Sequence, residues 1–564
     1  MKKKTYAVLA AVGAVLGTAT AVGLIATHKY RRNMLFGGSD KSLPPKRNVY
    51  FAGGGLAALS GAYYLIRDCN VPGSNIYIFE GSGNIGGAFN FGGDPETGYV
   101  CTTPKLLSSN LHSNMMDMLK GLQSVNVENI SVRDEFIYYT NANPASTGAR
   151  LIDADKNAIT GGFGISKVVR KRIKSLLGTR DHMLSPISVA EYFVETPEFL
   201  HSNLWAIISS TYLIRSTSSV LELKHILNCV AGEISDLFTQ KNIVRSQLNL
   251  QETIISALKA YLEAHNVNIA THCKVTDADF DDYTGRVNAI HLDDNGTLKT
   301  FYLNAKDLFF VTNGSISECA TTGSYNNPAP VPETAPASEA LWAKLSEKRD
   351  GFGTPDAFYS DSDCELISFT ITAKSKILLD KINELSGNTS SGSSLLTFKD
   401  SPWGLTVSTL PQPYFSSQTD DITVICGYGL YTAERGRYTE KEMRYSSGAE
   451  ILFELIKHLG IEDQWDEITK DIVNVIPCAM PYATASSLPY YDGDKPIIVK
   501  DRCANMAFIG QFAKLGAGIS NSSEYTVRTA REAAYRLTDS KKSSTPPPRA
   551  VMASYVKLFK ALKK

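Results

Sequence analysis

The sequence predicts an α/β protein whose dinucleotide-binding domain is built from discontinuous segments. Two stretches near the start and one near the end carry that expectation. Residues 48–61 read as a short apolar strand, the turn Gly53-Gly54-Gly55, and the opening of a helix that runs to about Arg67. A second apolar strand, 75–79, follows and ends on Glu80. Far downstream, 506–512 reads as a strand and loop, with a helix from about Ser523 to Leu537. Strand, glycine turn, helix, strand and acid in that order form the Rossmann-like dinucleotide-binding unit.

Each residue of the unit has a physical task. Gly53 permits the tight turn, and Gly55 lets backbone approach a pyrophosphate, which sits on unpaired N–H groups at the helix N-terminus. Ala58 packs closely against the strand, and Glu80 can accept hydrogen bonds from ribose hydroxyls. A second glycine pair, Gly86-Gly87, follows Glu80 closely and points to FAD rather than a nicotinamide cofactor. Val275, in the strand pair 267–277, joins the expected cofactor residues. So do Asn313, Gly314 and Ser315, where a buried strand runs into a polar turn. Gly510 and Ser523 complete the set from the late strand, loop and helix.

With 564 residues the chain exceeds one core and suggests two to three domains. Lys plus Arg and Asp plus Glu both total 57, and this balance argues against nucleic acid as a partner. The 9 cysteines show no CxxC and no clustering with histidine. That pattern indicates neither a disulfide framework nor a metal site, and fits a reducing compartment.

Both ends suggest a membrane. Residues 5–27 carry no charge and are flanked by lysines and arginines, as expected of a single-pass N-terminal anchor, with a mitochondrial presequence and a cleaved secretory signal as the alternatives. The flanking charges distinguish neither orientation nor a mitochondrial from an endoplasmic reticulum membrane. After the linker 543–548, Val551, Met552, Tyr555, Leu558, Phe559 and Leu562 recur at helical spacing opposite Lys557, Lys560 and Lys564. A basic amphipathic helix of this kind suits either an anionic bilayer surface or the protein's own body.

Several stretches resemble one family. These are 65–76, 310–318, 427–431, 480–482, 507–513 and 524–530, in order across roughly 47–540. On them the chain resembles the oleate hydratases, FAD-binding fatty acid hydratases also called myosin-cross-reactive antigens. The resemblance implies a Rossmann-like FAD-binding domain, a mixed α+β substrate domain and a helical cap, with a homodimer as the oligomer. The expected division is an anchor or targeting segment at 1–39, then FAD-binding parts at 40–100, 251–319 and 501–540. The helical cap and substrate region take 101–250, the substrate-binding domain with inserted loops takes 320–500, and the linker and basic helix take 541–564.

The implied reaction is that of a hydro-lyase, adding water to a cis double bond of an unsaturated fatty acid to give a 10-hydroxy acid without net flavin redox. The family's Arg-Gly-Gly-Arg and following acid correspond here to Thr102, Thr103, Pro104, Lys105 and Leu106. A leucine cannot transfer a proton. Lys105, Tyr212 and Tyr414 are the polar candidates for the catalytic work, Tyr414 standing where the family has histidine. Without the acid, a double-bond isomerase, another flavin oxidoreductase, or a non-enzymatic membrane-anchored FAD- or lipid-binding protein also fits the sequence.

Overall fold

The computed structural model describes residues 47–89, 92–102, 106–144, 148–332, 335–359, 364–388, 394–500 and 503–563. Five parallel strands form the first sheet, in the order Met506–Ile509, Leu308–Thr312, Val49–Ala52, Ile76–Phe79 and Asn268–Ala270. They come from well-separated parts of the chain. Their residues are almost continuously apolar because helices cover the sheet, as parallel sheets require. The helices Leu56–Cys69 and Ser523–Leu537 pack against each other. Gly61 sets their closeness to the sheet, since a Cβ there would stand 2.9 Å from the Phe51 ring.

A second sheet has eight strands, ordered Thr321–Thr322, Ile472–Met480, Leu366–Ala373, Thr423–Gly429, Thr406–Thr409, Ser394–Phe398, Leu151–Ile152 and Ala158–Ile159. All neighbours are antiparallel except the pair Ser394–Phe398 and Leu151–Ile152. Leu366–Ala373 is an inner strand of this sheet, buried at every position. Its Ser and Thr residues are not surface signals. Thr370 Oγ1 accepts from the Cys101 amide at 2.9 Å, Thr372 Oγ1 accepts from the Tyr99 amide at 2.9 Å, and Ser368 donates to the Cys101 carbonyl at 3.2 Å. The hydroxyls thus satisfy a buried backbone segment that no strand pairs on that side.

A helical lobe with its own core includes Lys167–Gly178, Asn203–Tyr212 and Val220–Val230. Serines start these helices: Ser166, Ser202 and Ser219 each accept a first-turn amide.

The membrane expectations are corrected here. Among the described residues no helix is long and apolar enough to cross a membrane, and the anchor expected over 5–27 lies outside the described residues. The helix Met552–Ala561 docks on the protein's own body with the C-terminal part of its apolar side, while Val551, Met552 and Val556 remain exposed. Leu558 and Leu562 are buried in the core of the helical lobe, and Tyr555 donates to Asn228 at 2.7 Å. The approaching linker is also fixed, by bonds of Ser544 to Glu532 and of Thr545 to Asn114.

Candidate functional site

At the C-terminal edge of the parallel sheet lies the glycine turn Gly53-Gly54-Gly55. Gly53 has φ +103° and donates its amide to the Phe79 carbonyl at 2.8 Å, and a Cβ on it would collide with Thr312 Oγ1. Gly55 occupies the cap position of the helix Leu56–Cys69 with no side-chain cap, so the first-turn amides remain open to an anion. The second glycine pair lies against the first. The Gly86 amide donates to the Gly54 carbonyl at 3.0 Å, and a Cβ on Gly55 would reach within 3.8 Å of Gly87 Cα.

These elements wall a cavity of about 600 Å³. Of the residues singled out in the sequence, Gly53, Gly55, Glu80, Gly87, Val275, Gly314, Ser315, Gly510 and Ser523 line it. Ala58 is fully buried behind the turn, and Gly86 abuts the turn without reaching the cavity. Asn313 is buried behind Gly314, with both polar side-chain atoms unpartnered. Sequence reasoning missed Thr102, Glu318 and Gln511, which also line the cavity.

The residues present fit a dinucleotide. The helix N-terminus is uncapped, glycines clear a path for backbone contact, and Gln511 Nε2 and the Asn313 amide group are buried polar atoms without partners. Glu318 is half-buried on the wall and accepts from the Ser338 amide at 2.9 Å. Burial raises its carboxyl above the ordinary range, and the negative charge of Glu80 adds to that shift.

A smaller cavity of about 110 Å³ shares the wall Asn521, Ser522 and Ser523 with the first. Leu106, Leu111, Leu213, Leu395 and Ile519 make much of it apolar. Tyr212 lines it from the last position of its helix, and its carbonyl accepts from Asn521 at 2.7 Å. Burial raises the Tyr212 phenol, so it stays protonated across the physiological range. Leu106, at the position of the missing acid, lines the same cavity. Burial also pushes the Cys229 thiol up to about 11 and the Glu524 carboxyl up to about 7.

The other two catalytic candidates lie elsewhere. Lys105 is outside the described residues. Tyr414 lines neither cavity; it is buried against Phe415, and its carbonyl accepts from the Asn249 amide at 3.0 Å. No group of three or more His, Cys, Asp or Glu able to hold a metal occurs among the described residues.

The chain is similar to several known proteins. The sequence model described as "MCRA family" matches residues 46–535. An oleate hydratase from Streptococcus pyogenes serotype M49 (strain NZ131) is 30% identical over 505 residues, covering 87% of this chain and 85% of the relative. A linoleate hydratase from Lactiplantibacillus plantarum is 28% identical over 535 residues, covering 87% of this chain and 94% of the relative. Among solved structures, an oxidoreductase from Methanosarcina mazei aligns with a TM-score of 0.46 at 14% identity, over 86% of this chain and 98% of that one.

Proposed function

The chain belongs to the MCRA family, and from that premise we propose that it is an FAD-binding fatty acid hydratase, adding water to a cis double bond of an unsaturated fatty acid such as oleate or linoleate. One observation carries the reading. The apolar cavity that holds a buried phenol adjoins the larger glycine-walled cavity through Asn521, Ser522 and Ser523.

FAD in the larger cavity supplies structural and electrostatic order rather than electrons, because hydration of an alkene changes no net oxidation state. Gly53, Gly55 and the open helix N-terminus would hold its pyrophosphate, and Glu80 would accept from its ribose hydroxyls. Tyr212 donates the proton that opens the double bond, and its raised phenol keeps that proton until an alkene is against it. The apolar walls exclude bulk water, which otherwise would compete for the proton. At about 110 Å³ the smaller cavity admits only part of a long acyl chain, so its walls must part on binding.

The test is incubation of the flavin-loaded protein, under reducing conditions, with oleate and with linoleate in heavy-oxygen water. A labelled hydroxy acid supports the reading. No labelled product, with flavin demonstrably bound, overturns it.

A further inference from the structure

The smaller cavity is apolar along much of its wall, yet it holds a cation. Arg528, in the helix Ser523–Leu537, is 8% exposed and is the only lysine or arginine lining that cavity among the described residues. It does not line the larger cavity, so the dinucleotide site does not account for it. A guanidinium carries five N–H donors. One terminal nitrogen donates to the Ala517 carbonyl at 2.5 Å and the other to the Leu515 carbonyl at 3.1 Å, while Nε is buried without a partner.

Among the described residues no carboxylate bonds to this guanidinium. Glu524 and Glu532 act on it only through space, because their oxygens are engaged elsewhere. Those of Glu524 accept from the Asn114 amide at 3.0 Å, the Asn114 side chain at 2.7 Å and the Met115 amide at 2.9 Å. Those of Glu532 accept from Ser544 and Arg536. Tyr525 and Cys229, the other charge neighbours of Arg528, are held protonated by burial. Burial also lowers the Arg528 guanidinium, which as an arginine still keeps its charge at neutral pH. A buried charge without a counter-ion is destabilising, and an anion that enters and pairs with it offsets that penalty. Arg150, also buried, does not line the cavity and gives its terminal nitrogens to Thr397, Ser210 and Thr211.

We propose that Arg528 is the carboxylate-binding residue of the smaller cavity, holding the ionised head of the fatty acid through its remaining N–H groups. The ligand is then a free acid rather than an ester or an alcohol. This rests on the reading of the cavity as a fatty acid site. A planar guanidinium suits a carboxylate because two parallel N–H groups meet its two oxygens. With the head held at Arg528, the acyl chain lies along Leu106, Leu111, Leu213 and Leu395, which line the same cavity as Tyr212.

The experiment measures binding to the flavin-loaded protein by titration calorimetry, with melting temperature as the control of the fold. The ligands are oleate, below its micellar concentration, and oleyl alcohol, its neutral counterpart. Wild type is expected to bind oleate at least about tenfold more tightly than the alcohol, the scale of hydrogen bonds to a charged group. Arg528→Gln is expected to bring the two within about threefold, chiefly by weakening oleate, and Arg528→Lys to keep part of the preference. Loss of a merely structural arginine weakens both ligands alike and leaves their ratio unchanged, which overturns the proposal. A wild type that binds the two ligands alike also overturns it. Where Arg528→Gln does not fold, a structure of the flavin-loaded wild type with oleate decides. Carboxylate oxygens within hydrogen-bond distance of the Arg528 guanidinium support the proposal, and a head group seated elsewhere, at Lys105 included, overturns it. Oleate held through Arg528 with no hydroxy acid formed defeats the hydratase reading alone. Hydration with an unchanged ligand ratio in Arg528→Gln defeats this assignment alone.

Discussion

Glu80 accepts the amide proton of Gly54 at 2.7 Å through one oxygen and that of Ser82 at 2.8 Å through the other. The acid at the end of the second strand therefore braces the glycine turn as well as facing the cavity. A carboxylate has lone pairs for both tasks. Glu80→Ala removes both anchors, and hydrogen bonds to a charged group contribute about 1.5–3 kcal/mol each. Flavin affinity is expected to fall at least about tenfold, measured by equilibrium titration of the apoprotein with FAD.

Gly53 tests the same cradle from the backbone side. At φ +103° an L side chain is strained, and a Cβ would collide with Thr312 Oγ1, whose hydroxyl in turn donates to the Ala52 carbonyl. Gly53→Ala is expected to destabilise the protein by about 1–3 kcal/mol and to yield protein with little bound flavin. Denaturant unfolding and the visible absorbance check both.

The glycine turn was legible in the sequence because its constraints are local. A turn of Gly53 to Gly55 between two apolar strands has few structural meanings, and the structure gathers nine of the twelve expected cofactor residues around one cavity. The inner strand Leu366–Ala373 was not legible, since its hydroxyls pair with Tyr99 and Cys101, distant in sequence. The basic C-terminal helix has a pattern that suits a bilayer or a protein groove equally, and only packing distinguishes them.

Arg150 offers a test of how Tyr212 is positioned. It is fully buried, donating to Thr397 at 2.6 Å, Ser210 at 2.9 Å and Thr211 at 3.2 Å, and Nε has no partner. No carboxylate pairs with it among the described residues, and burial lowers its guanidinium to about 10. Two of its three bonds tie down the residues immediately before Tyr212. Arg150→Ala is expected to cost about 2–4 kcal/mol in unfolding free energy, and Arg150→Met less, since it refills the volume. Both are expected to lower kcat more than they raise KM.

Glu524 makes stability depend on pH. Its folded carboxyl is raised to about 7 from an ordinary 4.5, chiefly by burial. The folded state therefore holds a proton that the unfolded chain releases. The resulting stabilisation is complete below about 4.5 and is lost as pH rises through about 7. Relative to Glu524→Gln, wild type is expected to lose up to about 3 kcal/mol between pH 5 and pH 8. Urea unfolding of both proteins across that range measures it, and a difference that stays flat or grows with pH contradicts the assignment.

The C-terminal helix separates packing from charge. Leu558 is fully buried in the helical lobe, whereas Lys557 and Lys560 are exposed. Leu558→Ala deletes a core contact and is expected to cost about 2–4 kcal/mol, a range set by how far the lobe collapses into the gap. Charge reversal at both lysines is expected to change stability by less than about 0.5 kcal/mol, as for surface sites generally. Because Leu558 shares a core with Trp205, Ile207 and Ile208 on the helix that carries Tyr212, its loss is also expected to lower hydration activity. The lysine reversals are expected to leave activity unchanged. Thermal unfolding and the heavy-oxygen assay, run on the same preparations, distinguish a helix that completes the lobe from one that only decorates it.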